Sequence, residues 1–587
     1  MTGRARFERA ALVLLIATAA IAWRGYRFAG SNQSIQVPAL LHASDPALYA
    51  QDPLLRSFDG YATYFFKGLA PLLRFVDVEP LYFGLYVLAM LTAFAAVLAL
   101  AERLGLDDAG KAIALLLYAA QLPSLGAEFA YWPRLTHAHV AQAALLWCFP
   151  LALSGRWLAA FGLAGLMLDF HALYAVHVLA LLGFERLLAR RFAELGRGLA
   201  LAALLGAPVL LWVLSAGAGD VGGEGFSAWL ELLRQRSGPH AFPTAVPVEV
   251  YVRYGLFLAL GALALVRHPA ETEARRRLIG WCAAVFALCA IGYVFAEWIP
   301  TKTVLRAQLF RSTRWLTLLA SFPIAALAVS AWRRGGIERA SAIFWLLGLV
   351  LAQPGWLAIG LALFLIADPR RPSPAFSAAV WGALILAALT RSAPVPERMG
   401  LQLVTDLARD VFVDPLVLAM LAPLLLWRAA RAQESELFSR LALGAGVLAA
   451  VFFVLPRVAR ASQAGIRGEA WTEAQLWVAA NTPKDAVILT PPHREGFRVF
   501  SRRAVVGEWK DGTQQFFSDP FTWEWKKRMA DLGGDSHGYD GYDATRIREL
   551  ADRYGATFAV RDAEAPLPFE KLHENSEFAV YAVPRRP

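Results

Sequence analysis

Two aspartates stand in one short, proline-rich stretch between long apolar runs of the sequence. Asp45 and Asp52 are each followed by a proline, in the spacing Asp-Pro-x-x-Tyr-x-x-Asp-Pro. Proline disfavours helical backbone at the preceding residue, so we expect extended or turned backbone at both acids. A carboxylate in such a loop can take a proton from a hydroxyl group, although a solvated acid or a helix N-cap is the simpler alternative. We take Asp52 as the candidate base and Asp45 as a residue that holds the loop or assists.

A second stretch, over 128–139, combines an acid, aromatic residues, an arginine and two histidines. Its candidate functional residues are Glu128, Arg134, His137 and His139. Alternate histidines can ligate a metal ion, but no third ligand stands nearby, so we assign no metal ligands here. A belt of aromatic residues with polar caps at the membrane interface is the alternative to substrate contact.

Three ionisable residues, Asp169, His171 and His177, lie within apolar sequence. Ionisable groups at membrane depth normally face a cavity or a partner. A pair of Asp169 with His171 or with His177 could orient a ring or relay a proton. A mutually satisfied structural pair is the alternative, and the sequence does not decide between them.

A cationic stretch follows residue 300, with Arg306, Gln308, Arg311 and Arg314. Guanidinium groups offer forked donors that suit phosphate oxygens. These residues could form one face that binds a lipid-linked phosphate, and ordinary contact with lipid headgroups is the alternative.

Composition indicates a membrane-embedded body for the elements that hold these candidates. The 587 residues are 57% hydrophobic and 18% charged, with a mean hydropathy of +0.44. A soluble domain of this length would need more polar surface. Runs near the ~17–20 residues that a helical span requires predict a mostly α-helical bundle of about 13–15 spans. The runs lie near 10–23, 80–101, 110–124, 138–154, 157–169, 171–186, 198–216, 248–266, 278–296, 315–332, 338–352, 355–367, 374–390, 414–428 and 437–456.

The basic residues predict how the spans are oriented. We expect the first run to be a retained anchor with its amino end in the cytoplasm, because no small-residue cleavage pattern follows it. Short basic loops, such as those at 185–191 and 332–334, then fall on the cytoplasmic side, as the positive-inside rule requires. This topology places a first outer loop at 25–79, a second at 125–137, and the tail outside.

Net charge and cysteine content exclude other classes of protein. The formal net charge of +10 resides in loops that flank the spans, so we expect no nucleic-acid partner. Cys148, Cys282 and Cys289 all fall inside apolar runs and are most simply core residues. No Cys/His metal spacing occurs.

The sequence divides into a transmembrane domain at 1–456 and a tail at 457–587. Helical spacing at 470–479 and 543–553 alternates with strand-like segments at 486–490, 500–506, 557–560 and 578–583. Such alternation predicts a small α/β domain. Its His493 and Glu495 could contribute to a site, and a solvated loop is the alternative.

These features together resemble the GT-C superfamily of membrane glycosyltransferases. The shared features are a many-span body, two acid-bearing outer loops and an outer α/β domain. The closer resemblance is to uncharacterised bacterial members. It rests on Asn32-x(5)-Pro38, the Asp45–Pro53 motif, and a tail with Asn481-Thr482-Pro483, Pro491-Pro492 and Gly496-Phe497-Arg498.

The resemblance implies a donor sugar linked to polyprenyl phosphate, attacked by an acceptor on the outer face of the bacterial cytoplasmic membrane. Asp52 or Asp45 would match the first-loop catalytic acid and Glu128 the second-loop acid. Arg306 or Arg311 would hold the donor phosphate. The chain departs from the family in lacking a paired-acid motif in the second loop and a tryptophan-rich acceptor motif in the tail. Metal dependence and a peptide acceptor are therefore left open.

The mechanism we expect is direct displacement at the anomeric carbon, with a carboxylate as base and an arginine on the departing phosphate. The acceptor is a glycan, lipid or protein, and a divalent cation is left open as a cofactor. A transporter or flippase of lipid-linked or polar cargo is the competing class. A non-catalytic membrane scaffold is the third.

Overall fold

The computed structural model describes residues 3–120, 122–126, 128–215, 224–267, 272–367, 414–534 and 538–584. It shows a bundle of apolar helices followed by a small α/β domain, which confirms the predicted fold class. The predicted span near 374–390 lies outside the described residues. The tail boundary predicted at 456/457 stays a prediction, and it falls inside the continuous helical stretch Glu436–Arg467.

The bundle contains helices of very unequal length. They are Gly3–Arg24 (α1), Gln33–Ser44 (α2), Pro53–Ser57 (α3), Phe65–Leu69 (α4), Val78–Arg103 (α5), Asp108–Ala119 (α6), His137–Leu145 (α7), Cys148–Leu153 (α8), Trp157–Leu188 (α9), Phe192–Leu205 (α10), Ala207–Ser215 (α11), Glu224–Ala241 (α12), Val248–Arg267 (α13), Thr272–Tyr293 (α14), Lys302–Ala307 (α15), Thr313–Arg334 (α16), Gly336–Val350 (α17), Pro354–Ala367 (α18), Pro415–Ala432 (α19), Glu436–Ala449 (α20) and Leu455–Arg467 (α21). Helix α16 packs against α6, α13, α14 and α17, and most of it is buried within the protein.

Fewer helices are long enough to cross a membrane than the 13–15 spans we predicted. Among the described residues there are seven such helices, or eight if the bent pair α10–α11 is one span. The predicted runs at 157–169 and 171–186 form the two halves of α9, which together are long enough for one span. Other predicted runs form helices of 12, 14 and 15 residues (α6, α18 and α17), which are shorter than a span needs.

Helix α9 is broken at the point where the sequence predicted two helices to meet. His171 has φ −154° and ψ 87°, which is extended rather than helical backbone. The first loop satisfies carbonyl groups beside the break: Tyr64 N–H donates to Asp169 O at 2.9 Å, and Thr63 Oγ1 donates to Phe170 O at 2.9 Å. The break therefore holds the first loop against the middle of a membrane helix.

Close packing of α9 against α10 depends on Gly165. A Cβ atom built on Gly165 would lie 2.5 Å from the Cα atom of Ala202. Because backbone cannot move aside as a side-chain tip can, we expect Gly165→Ala to lower the free energy of unfolding by about 1–3 kcal/mol. Gly196→Ala is the matched control on α10, where a Cβ meets no atom within 4 Å. It should raise stability by up to ~1 kcal/mol. Pulse proteolysis in detergent measures the stability of both variants. Equal changes in Gly165→Ala and Gly196→Ala would contradict the close packing at Gly165.

The C-terminal domain is built on a five-stranded sheet. Its strands are Val487–Leu489 (β3), Ala504–Val505 (β4), Phe558–Asp562 (β5), Lys571–Glu574 (β6) and Phe578–Ala582 (β7), in the order β4-β3-β5-β7-β6. Strand β3 is parallel to β4 and β5, and β7 is antiparallel to β5 and β6. Two short strands of the second loop, Pro123–Ser124 (β1) and Glu128–Phe129 (β2), pair separately.

The domain helices are Ala470–Asn481 (α22), Phe497–Ser501 (α23), Asp519–Asp531 (α24) and Ala544–Tyr554 (α25). The helices predicted at 470–479 and 543–553 are confirmed, as are the strands predicted at 486–490, 557–560 and 578–583. The predicted strand at 500–506 is wrong over its first half. Arg502 adopts left-handed backbone (φ 52°) and ends the short helix α23, so only Ala504 and Val505 remain to pair with β3.

Candidate active site between the bundle and the C-terminal domain

A cavity of about 590 Å³ lies where the break in α9 faces the C-terminal domain. Its walls come from the first loop, the second loop, the α9 break, helix α12, the segment after α15 and the domain segment 510–517. Five cationic side chains line it: Arg134, Arg236, Arg306, Arg311 and Lys510. No aspartate or glutamate stands among its described lining residues, and we call it the cationic cavity.

Arg311 is fixed by two local features. Gln308 adopts left-handed backbone (φ 43°), and its Oε1 accepts a hydrogen bond from Arg311 at 2.6 Å. Gly126 of the second loop has φ +74°, and a Cβ there would lie 2.9 Å from Arg311 Cγ. Only glycine combines that backbone with that approach, so the second loop presses directly on Arg311.

Arg306 and Arg134 reach the cavity from different parts of the chain, α15 and the second loop. Arg306 donates to Asp519 Oδ1 of the C-terminal domain at 3.1 Å, and Lys302 also pairs with Asp519. Arg134 stacks over the Trp132 ring at 5.2 Å. Within the described part of the chain, the Nε atoms of Arg134 and Arg306 are buried and have no hydrogen-bond partner. Each arginine therefore keeps donor capacity for a ligand.

Two cations come from elements that the sequence analysis passed over. Arg236 on α12 donates to Trp509 O at 3.1 Å and stacks over the Trp509 ring at 5.3 Å. Lys510 follows in the C-terminal domain. Burial lowers the pKa of Lys510 to about 8, with the carboxylate of Glu495 acting in the opposite direction. An anion in the cavity would favour the charged form of this lysine.

Four histidines share the cavity with the cations. His137 and His171 have ring centroids 4.8 Å apart, and His137 Nε2 lies 3.0 Å from Tyr61 Oη. The Tyr174 N–H donates to His171 Nδ1 at 3.2 Å. His139 Nδ1 lies 3.1 Å from Thr136 Oγ1. In the described residues, no group of three or more His, Cys, Asp or Glu side chains is placed to hold a metal ion.

His240 on α12 is the fourth histidine of the cationic cavity. Its Nδ1 lies 2.9 Å from Gly126 O, so Nδ1–H donates and Nε2 is left as the acceptor. Burial lowers the pKa of His240, against the opposing effect of the Gly126 carbonyl. The neutral ring can therefore accept a proton or hydrogen bond at Nε2.

Asp52 is not an open carboxylate, which corrects the prediction of a solvent-reachable base. Its side chain is 0% exposed and lines none of the described cavities near the bundle. Asp52 caps α3 by accepting from Leu54 N–H at 3.0 Å. It also accepts from Val505 N–H at 3.1 Å and from Arg498 at 2.6 and 3.2 Å. Because both carboxylate oxygens already accept two hydrogen bonds each, no acceptor hydroxyl can reach Asp52.

Arg498 joins Asp52 to two further carboxylates in what we call the buried ion cluster. Arg498 donates to both oxygens of Asp511 at 2.9 Å and lies 3.6 Å from Glu508. Burial raises the pKa of Glu508 to about 8 and also raises the pKa of Asp511, while Arg498 acts in the opposite direction on both. Tyr49 Oη donates to Arg498 O at 2.8 Å. The cluster thus binds the first loop to the domain.

The other first- and second-loop acids lie elsewhere. Asp45 is exposed and lines a separate cleft of about 400 Å³ with Lys484 and Arg502. Both Asp45 and Asp52 have the extended backbone we predicted. The Glu128 backbone belongs to β2, and its side chain lies outside the described residues.

The predicted pairing of Asp169 with His171 or His177 is not present. Asp169 Oδ1 instead accepts from Val209 N–H at 3.1 Å, which holds α11 after the 71° bend that follows α10. His177 is fully buried with Nε2 3.2 Å from Ala307 O. Arg314 is also fully buried, donates to Phe129 O at 2.7 Å and stacks over Tyr174. It supports the second loop and does not line the cavity.

The structure thus unites Arg134, His137, His139, His171, Arg306, Gln308 and Arg311 of the predicted residues in one cavity. It leaves out Asp45, Asp52, Asp169, His177 and Arg314. Sequence reasoning missed Arg236, His240 and Lys510. The sequence did contain a signal for Arg236 and His240, because α12 is a polar helix between two apolar runs, with basic residues at 234, 236 and 240.

Comparisons with known proteins give matches at two levels. A family model described as a domain of unknown function, DUF6798, matches residues 469–532 of the C-terminal domain. Two solved structures are similar to the chain: ArnT from Cupriavidus metallidurans bound to undecaprenyl phosphate, and the same protein in the apo state. The lipid-bound structure has 13% sequence identity to this chain and a TM-score of 0.44, and the match covers 100% of each chain. The apo structure has 13% identity and a TM-score of 0.42, and the match covers 98% of this chain and 99% of that one. No curated protein matches the sequence.

Proposed function

We propose that this protein transfers a sugar from a polyprenyl-phosphate-linked donor to an acceptor hydroxyl at the membrane surface. The observation that carries the proposal is the cationic cavity: five cations and no described carboxylate face one space between the bundle and the domain. A ligand that fits this lining is a strong anion, and phosphate is the anion that arginine forks suit best.

Apolar residues of α9 also line the cationic cavity and support a lipid ligand. Phe170, Leu173 and Val176 lie beside the cations, and the Val176 side chain is 44% exposed. A site with apolar residues of a membrane helix on one side and guanidinium groups on another suits an amphiphile with a phosphate head. We propose that the polyprenyl chain lies along α9 and the phosphate among the arginines.

Charge changes during the reaction explain what the cations would contribute. A sugar phosphodiester carries about one negative charge, and the phosphate monoester released carries up to about two. Cations fixed in the cavity therefore bind the departing phosphate more tightly than the donor. Interactions that strengthen toward the transition state raise the rate of displacement at the anomeric carbon.

The basic loops of the sequence support a proposed orientation in the membrane. We propose a bacterial cytoplasmic membrane location, a cytoplasmic amino end, and a domain that faces outward. The short basic loops of the sequence support this orientation. The cationic cavity would then open where an exported lipid-linked sugar is available.

The test uses the full chain in nanodiscs and membranes from a strain that lacks the gene. Those membranes hold the natural donor and acceptor. We expect purified protein to bind labelled undecaprenyl phosphate, to release polyprenyl phosphate from the membranes, and to add a sugar mass to a glycan, seen by mass spectrometry. Absence of binding would overturn the proposal. Movement of labelled lipid across liposomes without sugar release would favour the transporter instead.

The Lys510 ammonium gives the binding step a pH dependence. Its pKa of about 8 means that the charged form is lost as pH rises through 8. The phosphate monoester has a second pKa near ~6 and is already ionised in this window. We expect the affinity for undecaprenyl phosphate to fall roughly 10-fold between pH 7 and pH 9. Lys510→Arg keeps its charge and should show a flat profile; the same fall in that variant would exclude Lys510 as the cause.

A further inference from the structure

A second cavity of about 750 Å³ adjoins the cationic cavity. Ser31 and Arg134 line both, so these two residues form the shared wall. The second cavity is bounded by residues 26–31, by α21 and the start of α22, and by Glu495. It therefore has the position that the second substrate of a transfer reaction needs.

Glu495 stands at the shared wall. Its Oε1 accepts a hydrogen bond from Ser31 N–H at 2.8 Å, and its backbone carbonyl accepts from Trp471 Nε1 at 3.1 Å. The N–H of the following residue, Gly496, donates to Glu508 at 2.9 Å, and Gly496 has left-handed backbone with φ +88°. Among the described residues, the hydrogen bond from Ser31 is the one that holds the Glu495 carboxylate, and it engages Oε1.

The electrostatics place Glu495 close to the cationic cavity. Burial lowers the pKa of Arg134, Arg236 and Lys510, and the charge of Glu495 opposes that lowering in all three. The Glu495 carboxylate thus interacts electrostatically with three of the five cations that line the cationic cavity.

We infer that the second cavity binds the acceptor glycan and that Glu495 takes the proton from its attacking hydroxyl. The inference rests on the proposed sugar transfer and supplies its missing base. Asp52 is enclosed, Asp45 lines a different cleft, and no described carboxylate faces the cationic cavity. Trp471 offers an aromatic surface, and Gln475, Glu469 and Arg27 offer polar groups, a combination that suits a sugar ring.

The step balances without a further reagent. The acceptor oxygen gives its proton to the Glu495 carboxylate as it forms a bond to the anomeric carbon of the donor. The bond from that carbon to the phosphate oxygen breaks, and its electron pair stays on the phosphate. Polyprenyl phosphate remains among the cations, and Glu495 afterwards loses the proton to water.

Glu495→Gln is a sharp test because glutamine keeps an oxygen that can accept from Ser31 N–H. We expect this variant to bind labelled undecaprenyl phosphate as the wild type does. Transfer in the gene-deletion membranes should fall roughly 10²–10⁴-fold. The matched control is Glu473→Gln, an exposed carboxylate on α22 that lines neither cavity, and it should transfer at the wild-type rate.

A second variant separates a base from a structural residue. In Glu495→Ala, added formate or azide should restore part of the transfer rate, which a merely structural loss would not allow. Full transfer by Glu495→Gln would overturn the inference while leaving the proposed function intact. Slow transfer by Glu495→Ala that formate and azide leave unchanged would overturn the role of base. Failure of the wild type to bind the lipid phosphate would instead overturn the proposed function.

Discussion

Replacing Arg498 by methionine should lower the free energy of unfolding by about 3–5 kcal/mol, since it leaves buried carboxylates without their cation. Arg498 is the only described cation in contact with Asp52, Asp511 and Glu508 together, and all four side chains are 0–2% exposed. Methionine keeps much of the volume, so the loss reports charge rather than an empty space. Pulse proteolysis in urea, on detergent-solubilised protein, measures the change.

Lowering the pH should restore part of the free energy of unfolding that Arg498→Met loses. Burial already raises the pKa of Glu508 and Asp511 in the intact cluster, and without Arg498 the folded state favours their protonated forms further. The folded state then binds more protons than the unfolded chain, so its stability falls as pH rises and recovers as pH drops from 8 to 5. Arg494→Met, at an exposed arginine 3.9 Å from Glu577, should change stability by less than ~0.5 kcal/mol. An equal loss in both variants would contradict a role for the cluster.

Asp52→Asn should give a different result from the one that an open catalytic base predicts. We expect lost activity to accompany lost stability, because the carboxylate binds Arg498 and two backbone N–H groups. A fully stable and inactive Asp52→Asn protein would restore Asp52 to the catalytic role.

The double replacement Arg236→Met with Lys510→Met should weaken binding of undecaprenyl phosphate by roughly 10²–10⁴-fold. Each charge-assisted hydrogen bond to phosphate contributes about 1.5–3 kcal/mol, and the two side chains line the cavity from different elements. Titration of the nanodisc-held protein with labelled lipid measures the dissociation constant. In the proposed reaction, transfer should fall at least as far as binding, because these cations would also face the charge of the leaving phosphate.

The matched control for that double variant removes two charges from the same domain without touching the cavity. Lys526 and Lys527 are exposed on α24 and line none of the described cavities. Lys526→Met with Lys527→Met should bind the lipid within about twofold of the wild type, a difference below ~0.5 kcal/mol. Equal weakening by both pairs would mean that the protein attracts the lipid through net charge alone.

The bundle and the α/β tail were predictable from the sequence, as were three of the five cations and three of the four histidines that line the cationic cavity. Apolar runs and alternating strand patterns are local signals, so α22, α25 and β5 lie where the sequence predicted them. Arg306 and Arg311 were also predictable, because guanidinium groups clustered in one cationic stretch suit phosphate oxygens.

The enclosure of Asp52 by Arg498 was not predicted, and the reason is physical. An acid followed by proline is read as a loop residue, yet its partner Arg498 stands 446 positions later in the sequence. A single sequence contains no signal for such a pairing. Lys510 was missed for the same reason, since only the fold brings the C-terminal domain to the α9 break.

The ion pair between Asp52 and Arg498 also sets an order of events during synthesis. A ribosome that adds ~5–20 residues per second needs roughly 20–90 s to proceed from Asp52 to Arg498. During that interval every span of the bundle can enter the membrane, while the first loop has no counter-ion to close upon. The first loop can therefore reach its final place only after Arg498 has been made, 446 positions later in the chain.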